Sequence, residues 1–557
     1  MKNVSPNAPA DDNAAGKPKR PDYLRIFLYA LIAYLIVSII FDKPRPASET
    51  PPAPVSAPQV EEISHDRAIG FATARIEGSF NATGLRLDDL RLKDYRETGA
   101  SDSPQVKVLY YAAADDSSYV ESGLRSRTRE FGTLPTNATK WKVEKSSADS
   151  LALSWTNPFG AVFTKTYGFD GYVLRVVDAV DNRSARPLHI APYARLGESV
   201  GTKPMNAAAH AGFAGYLGGR LEELSWRDIS KEKTKAFATS GGWFGFGDAY
   251  FMSAFMLGTG APAQVRVSDP AALGLAAPAG AANAFVAEYE GEYQVVAPKE
   301  KKSFAHDFYI GAKEPKTLAA AGERLGVPRF DLAVDYGFFY ILAKPFGVIL
   351  SWLNSFTSNF GVAIILFTIL IRIALFPIAR KSFRSMEKMK KIQPEVKRLQ
   401  TLYAADKAQM NLQMAMLYKR EKINPASGCL PLLLQLPVFI ALYKALIISI
   451  EMRHAPFMLW LTDLSAPDPT SLFNLFGLLP YTPWEWLPAL GVLPILMGVT
   501  MWVQQEMSPA VEGAAGAGVM KWLPVIFTIM FAGLPSGLVL YWTINNLLSI
   551  AQQKWLK

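Results

Sequence analysis

The chain reads as a polytopic α-helical membrane protein that carries a large soluble domain rich in β-strands. Three observations predict this. Apolar runs long enough to cross a bilayer cluster after residue 360, and one more lies near the N-terminus. Half of the 557 residues are apolar and the mean hydropathy is +0.10, which suits a membrane protein with a sizeable soluble part. Between the two apolar regions, 61–330 alternates short apolar runs with Gly, Asn and Asp, the pattern of a many-stranded β-sandwich.

The elements follow in order. Residues 1–22 are polar and end in Lys17, Lys19 and Arg20, as an unstructured cytoplasmic tail would. Residues 23–42 form a short transmembrane anchor, and the basic flank at Arg25 keeps the N-terminus in the cytoplasm. A cleavable signal peptide fits poorly, because Val55, Ser56 and Ala57 lie too far beyond the apolar run. Residues 43–60 hold Pro44, Pro46, Pro51, Pro52, Pro54 and Pro58, a semi-rigid extended linker. Within 61–330 the runs 72–76 and 172–177 read as strands, and Asp170-Gly171 reads as a turn. Residues 315–325 have a helical period and close the domain. Residues 334–356 are aromatic and apolar with Asp335 and Lys344 interspersed. They suit an amphipathic helix lying on the membrane, with a buried core helix as the alternative.

The membrane part, 357–557, contains spans at 360–378, 429–450, 487–503, 520–531 and 534–551, with a tight turn at 533–537. Lys and Arg outnumber Glu387, Glu395, Asp406 and Glu421 across 380–422. The loop 451–486 sets Arg453 against Glu451, Asp463, Asp468 and Glu485. The positive-inside rule therefore puts 380–422 in the cytoplasm and 451–486 outside, with both chain termini cytoplasmic. The last two spans look short for a hydrocarbon core of about 30 Å, which predicts local thinning of the bilayer.

Arg372 is the residue most in need of explanation. It lies eight positions before Arg380, about 12 Å deeper along a helix. An ionisable group there costs about 2.5–3.5 kcal/mol at the helix centre, unless it snorkels to the interface. Gly361, Ile365, Thr368 and Arg372 share one helix face. Gln435, Lys444, Thr500, Gln504, Thr543, Asn545, Asn546 and Ser549 add polar groups on later spans. Facing inward, they line a wet groove with Arg372 at its positive centre. For Thr500, Thr543 and Ser549 plain interhelical hydrogen bonding is the favoured reading, and Lys444 is expected to snorkel near the outer face. No span supplies a carboxylate, so Arg372 is expected to need water or an acidic ligand.

Residues 380–425 read as a helical hairpin turning at 404–406, with Pro394 kinking or restarting its first arm. Met386, Met389, Met410 and Met414 offer an adaptable apolar surface beside Lys390 and Lys391. Alternatively the two apolar stripes simply pack on each other.

Several chemistries are excluded or weak. Cys429 is the single cysteine, and His65, His189, His210, His306 and His454 are scattered, so neither a disulfide nor a metal site nor a cofactor is expected. There is no phosphate-binding loop motif. Gly197-Glu198-Ser199-Val200-Gly201 matches the nucleophile-elbow pattern, but Pro204 and the lack of an apolar period argue against the helix that the motif needs. The net charge of +9 fits nucleic acid, a ribosome, or basic cytoplasmic loops.

Three runs carry a resemblance: NPASGCLPLLLQLP at 424–437, PILMGVTM at 494–501 and PSGLVLYW at 535–542. In this order they resemble the YidC-type membrane protein insertases of Gram-negative bacteria, within the Oxa-type superfamily. The resemblance implies an inner-membrane protein with an anchor helix, a periplasmic β-supersandwich domain, and a C-terminal five-helix insertase core with a cytoplasmic helical hairpin. It implies a non-enzymatic function: inserting nascent membrane proteins, and helping them fold, through a hydrophilic groove, alone or beside the Sec translocon. The groove arginine of the family falls on Arg372 and a polar groove position on Thr368, with Gln435, Tyr541 and Trp542 beside them. Where the family often has a tyrosine pair, this chain has Tyr541-Trp542. Nascent chains, the Sec translocon, the ribosome and membrane lipids are the implied partners, with no specific nucleic acid sequence. The loop 469–486 looks longer than the family's usual one. A small-solute transporter or anion channel is the alternative, and a tethered hydrolase using Ser199 a third reading.

Overall fold

Alternation of buried and exposed positions builds the outer strands of the β-rich part, while the strand Phe251–Leu257 is buried throughout. In the strand Val162–Asp170, Phe163, Lys165, Tyr167 and Phe169 are buried while Thr164, Thr166 and Asp170 are exposed. A computed structural model describes residues 69–556 except 113–115, 127–133, 200–209, 259, 261, 271–283, 422–429, 480–489 and 508–516. The expected tail, anchor and linker lie outside the described residues, as do Cys429 and the start of its motif.

Two antiparallel sheets, of ten and nine strands, form the β-domain. At the centre of the larger one, Leu188–Ser199 pairs with Asp116–Ser126 on one side and Ala284–Glu290 on the other. In the smaller sheet Lys301–Ala312 lies between Phe251–Leu257 and Val173–Asp181. The sheets meet through aromatic side chains, with Phe71 stacked on Phe169 at 4.3 Å and Phe255 on Tyr289 at 5.2 Å between ring centroids. The run 172–177 falls in the strand Val173–Asp181 after a turn at Gly171, whose φ of 61° suits glycine. The run 72–76 is different: it is a turn between strands Ile69–Ala72 and Ile76–Phe80, fixed by a bond from the Thr73 amide to the Ile76 carbonyl.

Two helices belong to this part. α1, Trp226–Glu232, starts at a capping box between Ser225 and Asp228. α2, Pro315–Leu325, is the expected closing helix, begun by its proline and stopped by Gly326 in the left-handed conformation.

The helical region comprises α3 (Tyr340–Thr357), α4 (Phe360–Leu402), α5 (Lys407–Arg420), α6 (Leu430–Ile447), α7 (Val492–Met507), α8 (Ala517–Phe531) and α9 (Ser536–Trp555). α3 begins later than the expected 334–356 helix, because Asp335 and Gly337 form a turn held by a bond from the Gly337 amide to the Asp335 carboxylate. Its Ala343, Phe346, Leu350 and Leu353 are buried, whereas Ile341, Val348, Trp352 and Phe356 are exposed.

α4 is one helix of 43 residues, about 65 Å long. It is the described helix long and apolar enough to cross a membrane. It runs unbroken through Pro377 and Pro394, so the restart expected at Pro394 does not occur. Each proline removes a single backbone donor, and the turns around them are held from outside: Ala379, Ser382 and Val396 are buried, and Arg420 pairs with Glu395 at 3.0 Å. α9 has 20 residues, which give about 30 Å along its axis.

The loop 451–479 folds over the helix ends. Asn359 caps α4 and its amide donates to the Phe457 carbonyl. The Ser536 and Gly537 amides at the start of α9 donate to Ala466 and Leu464. Gly361 is required here, since a Cβ on it would lie 2.1 Å from the Phe457 ring.

Candidate functional site

Arg372 lies midway along the apolar half of α4, and α9 supplies its partners. Its Nε donates to Asn545 Oδ1 at 2.8 Å, and one Nη donates to the Asn545 carbonyl at 2.9 Å and to the Ser549 hydroxyl. Asn545 and Ser549 stand four residues apart, so one helix face presents both. Among the described residues no carboxylate pairs with this guanidinium, as the spans' composition suggests. The expectation that only water or an acidic ligand could satisfy it is corrected: neutral amide, carbonyl and hydroxyl oxygens take three of its bonds, and the positive charge stays uncancelled. Arg372 is half-buried.

The other expected groove residues divide. Gln435 on α6 donates to the Tyr541 hydroxyl, and Tyr541 is fully buried on α9. Thr368 is 0 % exposed and its hydroxyl donates to the Ile364 carbonyl at 2.7 Å, so it faces packed protein rather than open space. Trp542 points elsewhere. It packs with Phe439, Phe527 and Phe531 in an aromatic cluster joining α6, α8 and α9, its ring 4.9 Å from Phe439. It is a packing residue here, because adjacent residues on a helix point about 100° apart.

Of the small polar residues, Thr500 accepts a bond from Asn546 at 3.2 Å, joining α7 to α9, while Thr543 donates to its own helix at Val539. Gly498 permits the approach of α8 to α7: a Cβ there would meet the Thr528 hydroxyl at 2.0 Å.

Met386, Met389, Met410 and Met414 are half-buried, Val396 and Leu417 are buried, and Met416 is exposed. Lys390 is exposed, and Lys391 pairs with Glu387 at 3.1 Å one turn away.

Lys444 does not snorkel. It forms an ion pair with Asp335 at 2.6 Å, and Asp335 also accepts from the His210 amide at 3.0 Å. Burial pushes the Asp335 carboxyl up, but the Lys444 ammonium and the amides of His210 and Gly337 outweigh it and hold it below the ordinary carboxylate range. This node joins α6 to the β-domain. The chain separates its two charges by 109 positions, and the sequence carries no signal that pairs them.

Ser199 sits at the end of the strand Leu188–Ser199, 1 % exposed, with its hydroxyl bonded to Ser117. A nucleophile elbow needs an exposed serine on a sharp strand-to-helix turn, and Ser199 is instead buried within the sheet. A second buried network lies on the same sheet: Arg195 bridges Glu121 and Glu288, and Arg125 reaches Glu288 and Glu290.

The family described as "60Kd inner membrane protein" matches residues 352–557, and the "YidC periplasmic domain" family matches 68–349. The membrane protein insertase YidC of Beijerinckia indica subsp. indica is 38% identical over 521 residues, covering 91% of this chain and 84% of that protein. Its counterpart in Rickettsia rickettsii is 36% identical over 509 residues, covering 90% and 89%. A solved structure of an active YidC insertase matches 95% of this chain and 98% of that one, at 17% identity and a TM-score of 0.36.

Proposed function

This chain belongs to the YidC family of membrane protein insertases, and we propose that it works by holding the polar flank of a nascent client against Arg372 while the client's apolar span leaves for lipid beside α4 and α9. It is an inner-membrane insertase with a periplasmic domain that is mostly β-sheet, and its substrates are nascent membrane proteins. Membership sets aside the solute-transporter alternative.

The observation that carries the mechanism is the uncancelled cation. Arg372 is fixed by Asn545 and Ser549 without neutralisation, so it retains an attractive field for acidic groups in a region of low dielectric. Moving polar backbone through hydrocarbon costs several kcal/mol for each unsatisfied group. A half-buried cation among oxygen and amide groups lowers that cost for the flank. Exposed Leu366, Leu370 and Ile373 on α4 and Leu547 on α9 offer the adjoining apolar exit.

The finer architecture belongs to this reading. Five helices, α4 and α6 to α9, form the core, and the distal half of α4 with α5 makes a cytoplasmic hairpin. The exposed stripe of α3 lies on the outer membrane surface, and both termini are cytoplasmic. The basic charges of 380–422 face the ribosome and its nascent chain, and the core works alone or beside the Sec translocon.

Photo-crosslinking tests the proposal. With a probe at Gln435 or Leu366, a ribosome-stalled single-span client should crosslink through its polar flank and its apolar span respectively. Val143 in the β-domain serves as the silent control. No crosslink at either core position, with the client inserting normally, would sink it.

A further inference from the structure

Between Asp468 and Glu485 the chain carries no charged residue. In this stretch Leu472, Leu475, Phe476, Leu478 and Leu479 are all exposed, and Leu478 is 83 % exposed. Singly exposed apolar residues are ordinary, but five within eight positions form a patch that calls for a partner.

The base of the loop is fixed at the end of a helix. Asp468 Oδ2 accepts from the Leu493 amide at 2.8 Å, and the Thr470 hydroxyl accepts from the Val492 amide at 2.9 Å, so both residues cap the start of α7. The Leu472 amide donates to the Leu490 carbonyl at 2.8 Å. The loop therefore leaves the bundle at the level where α7 begins. Beyond this base the backbone closes on itself. The Phe476 amide donates to the Ser471 carbonyl at 2.7 Å, the Leu479 amide to the Asn474 carbonyl at 3.1 Å, and the Gly477 amide to Asn474 Oδ1 at 3.0 Å. An amide that meets hydrocarbon needs such an internal partner, because lipid offers none. Leu475 and Phe476 have φ of +51° and +58°, the left-handed region that suits Gly and Asn and strains larger side chains. The turn displays a leucine and a phenylalanine there at a cost in strain, as functional segments do.

We propose that 472–479 is a membrane-dipping loop, which seats its leucines and Phe476 among the acyl chains of the outer leaflet beside α7. Two features favour lipid over a protein partner. Leu496 and Val499, in the first two turns of α7, are exposed as well, so apolar surface continues from the loop's base down the helix. A protein interface is rimmed by polar and charged residues, and 469–484 supply no charge. Seated in this way, the loop pins the outer end of α7 at the membrane surface. The inference rests on α7 crossing the membrane, as the proposed architecture has it.

The test uses the full chain, one copy per lipid nanodisc, with Cys429→Ser and a single nitroxide label at Leu478→Cys. Collisions of the label with lipid-soluble oxygen and with a water-soluble nickel chelate are compared with those of labels at Val499→Cys on α7 and Val143→Cys in the β-domain. The label at 478 should show high oxygen and low nickel access, as at 499, and the label at 143 the reverse. With Leu475→Lys and Leu479→Lys added, the label at 478 should shift to the pattern seen at 143, because charge is expelled from hydrocarbon. A label at 478 that reads water while 499 reads lipid overturns the proposal and leaves the architecture standing. Water at both positions overturns the architecture with it. Shielding of 478 from both reagents means that protein covers the loop, and this too overturns the proposal, as does a lipid signal that survives the two lysines.

Discussion

Asn545→Asp is the sharpest perturbation of the groove, because it cancels the charge of Arg372 while leaving the guanidinium in place. The side chains are nearly isosteric, and the new carboxylate oxygen would stand where Asn545 Oδ1 now accepts from Nε at 2.8 Å. A unit charge about 4 Å from a client carboxylate is worth about 4 kcal/mol at an effective dielectric near 20. Arg372 is half-buried, so solvent screens part of this and about 1–2 kcal/mol is the realistic loss. At about 1.4 kcal/mol per tenfold, insertion of an acidic-tailed client should slow by roughly 5–30-fold. The assay is protease protection of the translocated tail in proteoliposomes, with paired clients differing only in acidic or neutral tails. The neutral-tailed client should insert at the wild-type rate. Arg372→Ala should show the same client selectivity, and Arg372→Lys should largely preserve insertion. If Asn545→Asp folds normally and inserts the acidic client as fast as the wild type, charge is not what the groove supplies and the reasoning fails.

Four further outcomes follow from particular contacts. Gly361→Leu places side-chain atoms where the Phe457 ring lies, so about 1–3 kcal/mol of stability is lost to overpacking and 451–479 becomes protease-sensitive; an unchanged thermal midpoint and digestion pattern count against it. His306 is buried and its imidazole pushed down to about 4, burial being the largest cause. It is neutral when folded, so its stabilisation is complete above its unfolded value of about 6.5 and is lost as pH falls towards about 4. That loss reaches about 3 kcal/mol and should be smaller in His306→Gln when unfolding is followed against pH. Changing Lys388, Lys390, Lys391, Lys397 and Arg398 to Glu should weaken ribosome association as raised salt does, because the Debye length falls from about 10 Å at 0.1 M to about 3 Å at 1 M. Changing Met386, Met389, Met410 and Met414 to Ser should reduce client crosslinks without altering that salt dependence, unless digestion of 380–422 shows the stripes to be packing surface.

What the sequence made legible follows from how rare each feature is in its surroundings. Arg372 stood out because a cation in an apolar run has few innocent explanations. The polar residues on the last span were visible for the same reason, and two of them, Asn545 and Ser549, became its partners. Direction was less legible than identity. Thr368 and Trp542 lie on α4 and α9, the helices that carry Arg372 and Asn545, yet the first bonds back to Ile364 and the second faces Phe439. Which side a residue takes depends on helix rotation, and that is set by neighbours such as α6 and α8 from distant parts of the chain. Lys444 was misread for a related reason: a lysine near a helix end looks like a snorkelling residue until Asp335 is brought beside it. In the β-domain the obscurity has another cause. Glu121, Arg195 and Glu288 alternate with apolar residues exactly as a solvated strand face would, and only cross-strand pairing reveals that they are buried. A strand's period of two reports that a face is polar, but not what covers it. The same limit hid the contact between the β-domain and the loop 451–479. Arg453 and His454 look like ordinary loop residues, and what gives them meaning is two backbone carbonyls, at Arg96 and Glu97, which the side-chain sequence does not encode.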